Sequence, residues 1–213
     1  MLRLYDYLPS QNAWKVRALL SHLGLRYERV PVSIFEGESH TDAFLEKNPA
    51  GAVPVLEVEP GRCIAESNAI LCFLAEGTPY LPQDPFERAQ VMQWLFFEQS
   101  YVEPQIGSLR YWALTGKLGR RSTDMIEGKR AYSLRALAAL ERHLATRSFL
   151  VGERYTIADV AVYAYAAHAD EAGLDLGPYP AFRSWIERVE AQPGFLGERY
   201  PYSIDPHASR ELG

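Results

Sequence analysis

Cysteine is scarce in this chain, with two residues in 213. Cys63 and Cys72 stand nine apart, which fits neither a CxxC pair nor a zinc-ligand spacing. Both sit among apolar neighbours, so the pattern predicts buried thiols acting as small hydrophobes, with no disulfide and no metal site. Long apolar runs are missing as well. None approaches the roughly 18–20 residues that a bilayer span needs. The opening Met1-Leu2-Arg3-Leu4-Tyr5-Asp6-Tyr7 places an acid where a secretory leader would stay apolar. These absences predict a protein of the reducing cytoplasm that does not engage membrane. Positive charge is in deficit: 22 Lys and Arg stand against 27 Asp and Glu, for a net charge of -5. Binders of nucleic acid carry a basic surface that releases counterions from phosphates, so that class of partner is not expected. Strand patterns, finally, are missing from everything after Pro85.

What is present is enough apolar material, 47% of residues, for one large domain or two compact ones. Leu2-Arg3-Leu4-Tyr5 reads as a short strand. Val16, Leu19, Leu20 and Leu23 recur at helical spacing, and Gly24 stops that helix. Strands follow at 27–32, 53–58 and 63–65, with a short helical turn at 41–46, a Pro60-Gly61 turn and a further helix carrying Ile70, Phe73 and Leu74. The order is β-α-β-α-β-β-α over residues 1–77. Residues 78–85 hold Pro79, Pro82 and Pro85, which neither helix nor central strand tolerates, and read as a linker. Residues 86–213 read as an all-α domain. Its first long helix should bend or break at Pro104, and its end, from about residue 200, lacks periodicity.

Three segments of the first domain invite a chemical reading. Val53-Pro54 opens a strand with a residue that cannot donate to a sheet ladder. It is either an ordinary edge-strand proline or, if cis, a kink that presents backbone to a ligand. Glu66-Ser67 ends a strand and begins a helix. It is either a plain capping segment or a place where free helix amides take a carboxylate while Glu66 pairs with an ammonium. An α-amino acid head would satisfy both. Ser10, between the first strand and the first helix, is either an N-cap or a hydroxyl placed where the helix dipole favours negative charge.

Taken together and in order, these segments resemble the cytosolic glutathione transferases, most closely the serine-type, theta-like bacterial members. Asn48-Pro49-Ala50-Gly51-Ala52-Val53-Pro54-Val55-Leu56 is similar to that family's NPxGxVPxL segment, and Glu66-Ser67-Asn68-Ala69-Ile70 to its ES-x-AI segment. In the second half, Gly152 with Thr156, Ala158 and Asp159 resembles the family's G-x-x-x-[ST]-x-A-D segment. Its physics is a capping box. The resemblance implies an α/β N-terminal domain of thioredoxin-like fold and an all-α C-terminal domain. It also implies glutathione as co-substrate and a homodimer. Carried over by position, the backbone of Val53, beside Pro54, would pair with the cysteinyl part of glutathione. Glu66 and Ser67 would hold the γ-glutamyl head, and His40 would meet the glycyl end. Ser10 would donate to the sulfur, with Asn12 as a supporting or alternative donor and Tyr7 as the rival that the tyrosine-type classes suggest. A small hydrophobic electrophile would bind between the domains against Tyr101, Arg110 and Tyr111, where Arg110 could meet an anionic group.

The activity implied is conjugation of the glutathione thiolate to that electrophile. Two alternatives share the scaffold: a glutathione-dependent disulfide reductase or isomerase, and a non-catalytic binding or assembly module.

Overall fold

The computed structural model describes residues 1–208, which form two compact units. The first contains residues 1–76 and the described end of the chain, 193–208; the second contains residues 77–192.

In the first unit, strands β1 (Leu2–Asp6), β2 (Tyr27–Pro31), β3 (Val55–Glu59) and β4 (Arg62–Ala65) form one sheet in the order β2-β1-β3-β4. β1 and β2 run parallel, and the other two pairings are antiparallel. A parallel pair needs a crossover, which helix α1 (Gln11–His22) supplies. It stops at Gly24, whose φ of +62° suits glycine. A single short turn of helix, α2 (Asp42–Leu45), and the longer α3 (Ser67–Ala75) complete the expected β-α-β-α-β-β-α order. Period-two alternation sends Tyr5 and Val55 to one face, where they pack with Val32 and Phe44. Leu4 and Leu56, paired across β1 and β3, fill the other face and are fully buried.

Two expectations shift here. β3 begins at Val55 rather than 53, because Pro54 has no N–H for the ladder. The cysteines are half-buried rather than buried, and neither forms a disulfide. Cys63 lies on β4, an edge strand with a neighbour on one side only.

The end of the chain departs from the expected division. Residues 193–208, assigned from sequence to the helical domain, pack with the first unit. Trp14 Nε1 donates to Leu196 O at 2.9 Å, His22 Nδ1 lies 2.8 Å from Pro193 O, and Ser33 Oγ donates to Asp205 Oδ2 at 2.7 Å. Period cannot reveal such a segment, because backbone carbonyls and single side chains hold it.

The second unit is helical: α4 (Pro85–Phe97), α5 (Ser108–Leu114), α6 (Thr123–Leu144), α7 (Ile157–Ala166) and α8 (Pro180–Glu190). Asp84 caps α4 by accepting from Glu87 N at 2.9 Å, with Pro85 in the first helical position. Between α4 and α5 the chain passes through a wide π-helical stretch, Glu98–Gly107, which contains Pro104. The Pro104 carbonyl accepts from Ser108 Oγ at 2.8 Å and from Lys129 Nζ, and the helical path continues through the proline as π-helix. The capping box forms as expected. Thr156 Oγ1 accepts from Ala158 N at 3.2 Å, and Asp159 Oδ2 accepts from Thr156 N at 3.0 Å. No helix among the described residues is long and apolar enough to cross a membrane.

Candidate functional site

Three segments distant in sequence converge on one side of the first unit. A small cleft there is lined by Asn12, Asn48, Ala52, Val53, Pro54, Glu66 and Ser67. Asn12 comes from the first turn of α1, Val53 and Pro54 from the approach to β3, and Glu66 and Ser67 from the junction of β4 with α3.

The Val53 wall is held by Asn48. Its buried side chain donates to Ala52 O at 2.8 Å and accepts from Ala50 N at 3.0 Å. Gly51 closes that turn with φ +62°, and a Cβ there would stand 3.1 Å from Ser39 O and 3.2 Å from His40 Nε2. Glycine suits the positive φ, and any side chain there would be tight against these neighbours. The Val53–Pro54 peptide bond is cis, the less common of the two readings for such a segment.

Glu66 is exposed and has φ +67° and ψ 114°, the sole non-glycine residue with positive φ in the described chain. Strained backbone of this kind concentrates at ligand sites. Ser67 follows as the first residue of α3, where first-turn N–H groups have no partner within the helix. Its hydroxyl does not face them. It donates to Asn12 Oδ1 at 3.3 Å and accepts from Lys15 Nζ at 3.4 Å.

Ser10 caps α1: its Oγ accepts from Ala13 N at 3.2 Å, which leaves the hydroxyl proton to be donated elsewhere. It is half-buried and is not part of the cleft wall, whereas Asn12 is. Tyr7 is placed apart from this cleft. Its ring meets Phe35 edge-on at 6.1 Å and lies 6.2 Å from Tyr202, against a second cleft of about 350 Å³ that also takes in Pro9, Arg29, Ser33, Asp205 and His207. His40 is exposed, with Nδ1 3.1 Å from Ser39 Oγ.

Of the residues expected at the electrophile site, Tyr101 lines a cleft on the second unit with Trp94, Phe96, Phe97 and His143. Neither Arg110 nor Tyr111 contributes to it. The Arg110 guanidinium is paired with the Glu171 carboxylate, so it is not held in reserve for an anionic substrate. Tyr111 accepts from Lys117 Nζ at 3.1 Å. Tyr101 lies within the π-helical stretch, whereas Arg110 and Tyr111 lie on α5 after it.

Two buried charged residues of this unit were not singled out from sequence. Asp6, fully buried at the end of β1, is ion-paired with Arg17. Burial nevertheless pushes its carboxyl above the usual range, with Arg17 and Arg29 opposing that shift. Lys15, also fully buried, bonds Asn12 Oδ1 at 2.8 Å. One signal was available: Lys15 stands four residues before Leu19, on the apolar stripe of α1.

Comparison with known proteins agrees with this fold. Residues 1–76 match the family described as glutathione S-transferase, N-terminal domain, and residues 96–193 match glutathione S-transferase, C-terminal domain. The chain is 33% identical to elongation factor 1-gamma of Artemia salina over 181 residues, 81% of this chain but 40% of that protein. It therefore spans less than half of that relative's length. It is 28% identical to the disulfide-bond oxidoreductase YfcG of Escherichia coli (strain K12) over 91% of this chain and 92% of that one. Among solved structures it resembles a glutathione S-transferase from Pseudomonas fluorescens Pf-5, with a TM-score of 0.89 and 43% identity over 92% of this chain and 97% of that one. It also resembles a glutathione transferase from Pseudomonas putida with one glutathione disulfide bound per subunit. That TM-score is 0.77, with 28% identity over 91% and 88% of the two chains.

Proposed function

This chain belongs to the glutathione S-transferase family, and from that premise we propose that it binds glutathione and transfers its thiolate to a small hydrophobic electrophile. One observation carries the reading: the convergence of Asn12, Val53, Glu66 and Ser67 on a single cleft beside the N-terminus of α1. In this reading the backbone of Val53, next to Pro54, pairs with the cysteinyl amide of glutathione. The γ-glutamyl carboxylate meets the free amides at Ser67, and Glu66 takes the ammonium. His40, packed on Gly51 one residue from the cleft wall, meets the glycyl carboxylate.

The sulfur then lies at the start of α1, where Asn12 and Ser10 are its donors and the helix dipole favours negative charge. A free thiol has a pKa of about 8.5 and is only a few per cent thiolate at neutral pH. A hydrogen bond to a charged group contributes about 1.5–3 kcal/mol, and one pKa unit corresponds to about 1.4 kcal/mol. One such bond therefore lowers the thiol pKa by about one to two units, enough to ionise much of it near pH 7. The thiolate attacks an electrophilic carbon, forms the thioether and expels the leaving group.

A homodimer belongs to the same reading. Phe96 and Tyr101 are 70% and 57% exposed beside Trp94 and Phe97, an apolar face suited to a second copy.

A second reading is favoured by the similarity to YfcG and to the structure holding glutathione disulfide: thiol–disulfide exchange in the same cleft. Retention on immobilised glutathione, gel filtration of the retained protein, and paired assays test these readings. We expect retention as a dimer and conjugation of a chloronitrobenzene. Reduction of a mixed disulfide without conjugation would select the second reading. No retention would overturn both and favour a non-catalytic module.

A further inference from the structure

Lys15 is fully buried within α1, and lysine is almost never fully buried unless paired. Its ammonium lies 2.8 Å from Asn12 Oδ1 and 3.4 Å from Ser67 Oγ, while Ser67 Oγ stands 3.3 Å from the same amide oxygen. The three groups close a triangle beneath the cleft. Arg17, the other buried cation of α1, is engaged elsewhere, by Asp6 and by Leu8 O at 2.9 Å.

The triangle has one consistent assignment of protons. A charged ammonium has three donors and no acceptor, so the end of the Asn12 amide that faces it must be the oxygen. The Ser67 hydroxyl alone would not decide this, since a hydroxyl both donates and accepts. With Lys15 donating to Ser67 Oγ, the serine proton turns to Asn12 Oδ1 as well. Two donors on Oδ1 commit the opposite end of the amide, the NH₂, to the donor role. Asn12 is part of the cleft wall.

We propose that Lys15 is a positioning residue that makes Asn12 a hydrogen-bond donor to the sulfur of bound glutathione. The amide orientation is otherwise nearly degenerate, because oxygen and nitrogen ends occupy similar space. An Asn12 turned the other way would aim its oxygen at a thiolate and oppose ionisation. This inference rests on the glutathione reading of the cleft.

The test is an ultraviolet difference titration of the thiolate absorbance of glutathione bound to the full chain, on the wild type, Lys15→Met, Asn12→Ala and the double variant. Methionine has a similar length and no donor. In Lys15→Met the bound thiol pKa should rise by about one unit, a loss of thiolate at pH 7 of roughly three- to eightfold. The conjugation rate at pH 7 should fall in proportion and recover as pH is raised. Asn12→Ala should show a similar rise, and Lys15→Met should add nothing to it, which a merely structural lysine would not reproduce. An unshifted titration in folded Lys15→Met, or additive shifts in the double variant, would overturn the proposal. If Lys15→Met does not fold, Lys15→Leu, likewise without a donor, takes its place in the same cycle, and an unshifted titration there overturns the proposal. Absence of a bound thiolate signal in the wild type would instead overturn the glutathione reading itself.

Discussion

At the scale of single residues, one side chain carries two separable duties. Ser10 Oγ accepts from Ala13 N as the N-cap of α1, and in the proposed reading its proton serves the glutathione sulfur. Ser10→Ala should therefore lower stability by about 1 kcal/mol through the lost cap, read by chemical denaturation. It should also slow conjugation at pH 7 while leaving retention on glutathione intact. A stability loss with an unchanged rate would assign the sulfur to Asn12 alone. Ser10, Val53 and Glu66-Ser67 were legible from residue type and order, because caps, prolines and helix starts are local devices. Lys15 was harder to see. A lysine on a helix defaults to solvent, and only the packing of α1 against α3 decides that this one is buried beside Ser67. Arg110 shows the converse. Set among aromatic residues it looked available, yet Glu171, 61 positions away, already holds it.

At the scale of elements, the capping box of α7 shows how much can hang on one carboxylate. Asp159 Oδ2 accepts from Thr156 N, and Oδ1 accepts from Leu150 N at 3.0 Å and from Trp185 Nε1 at 2.9 Å. Burial raises its carboxyl to about 6, against the pull of those hydrogen bonds, which favour the charged form. The folded state then holds its proton to higher pH than the unfolded state does. The contribution of this group to stability should fall as pH rises from about 4 to about 6, by at most about 1.4 kcal/mol per pH unit, and level off above. Denaturation of the wild type and Asp159→Asn across that range checks the sign. A flat difference curve would mean that the hydrogen bonds outweigh burial and the carboxyl is ionised throughout. The box was readable from Thr156 and Asp159 at their spacing. The reach of Asp159 to Leu150 and to Trp185 on α8 was not, since no local period encodes it. The same holds at Pro104. That the helix is disturbed there follows from proline chemistry, but the bond from Lys129, 25 positions away, to the Pro104 carbonyl is tertiary.

At the scale of the whole molecule, the division into an α/β unit and a helical unit was legible because period changes at the proline-rich segment before α4. The placement of residues 193–208 was not. Trp14 is 3% exposed and bonded to Leu196 O, so ending the chain at Gln192 should strip a cover from α1. Three hydrogen bonds at about 1 kcal/mol each, with the apolar contact of Phe195 on Trp14, set the expected loss in the first unit at about 3 kcal/mol or more. Calorimetry of the shortened chain measures it, and an unchanged transition would show that these contacts add nothing. Sequence by itself determined the elements, their order and the family. Those depend on local period, on turn and cap chemistry, and on motifs whose spacing is kept within the chain. Tertiary structure alone decided that Asn12 joins the cleft while Tyr7 turns to another, that Lys15 is buried beneath it, and that the chain's end returns to α1. Each of these is a choice among partners far apart in sequence, settled by which surfaces exclude water together.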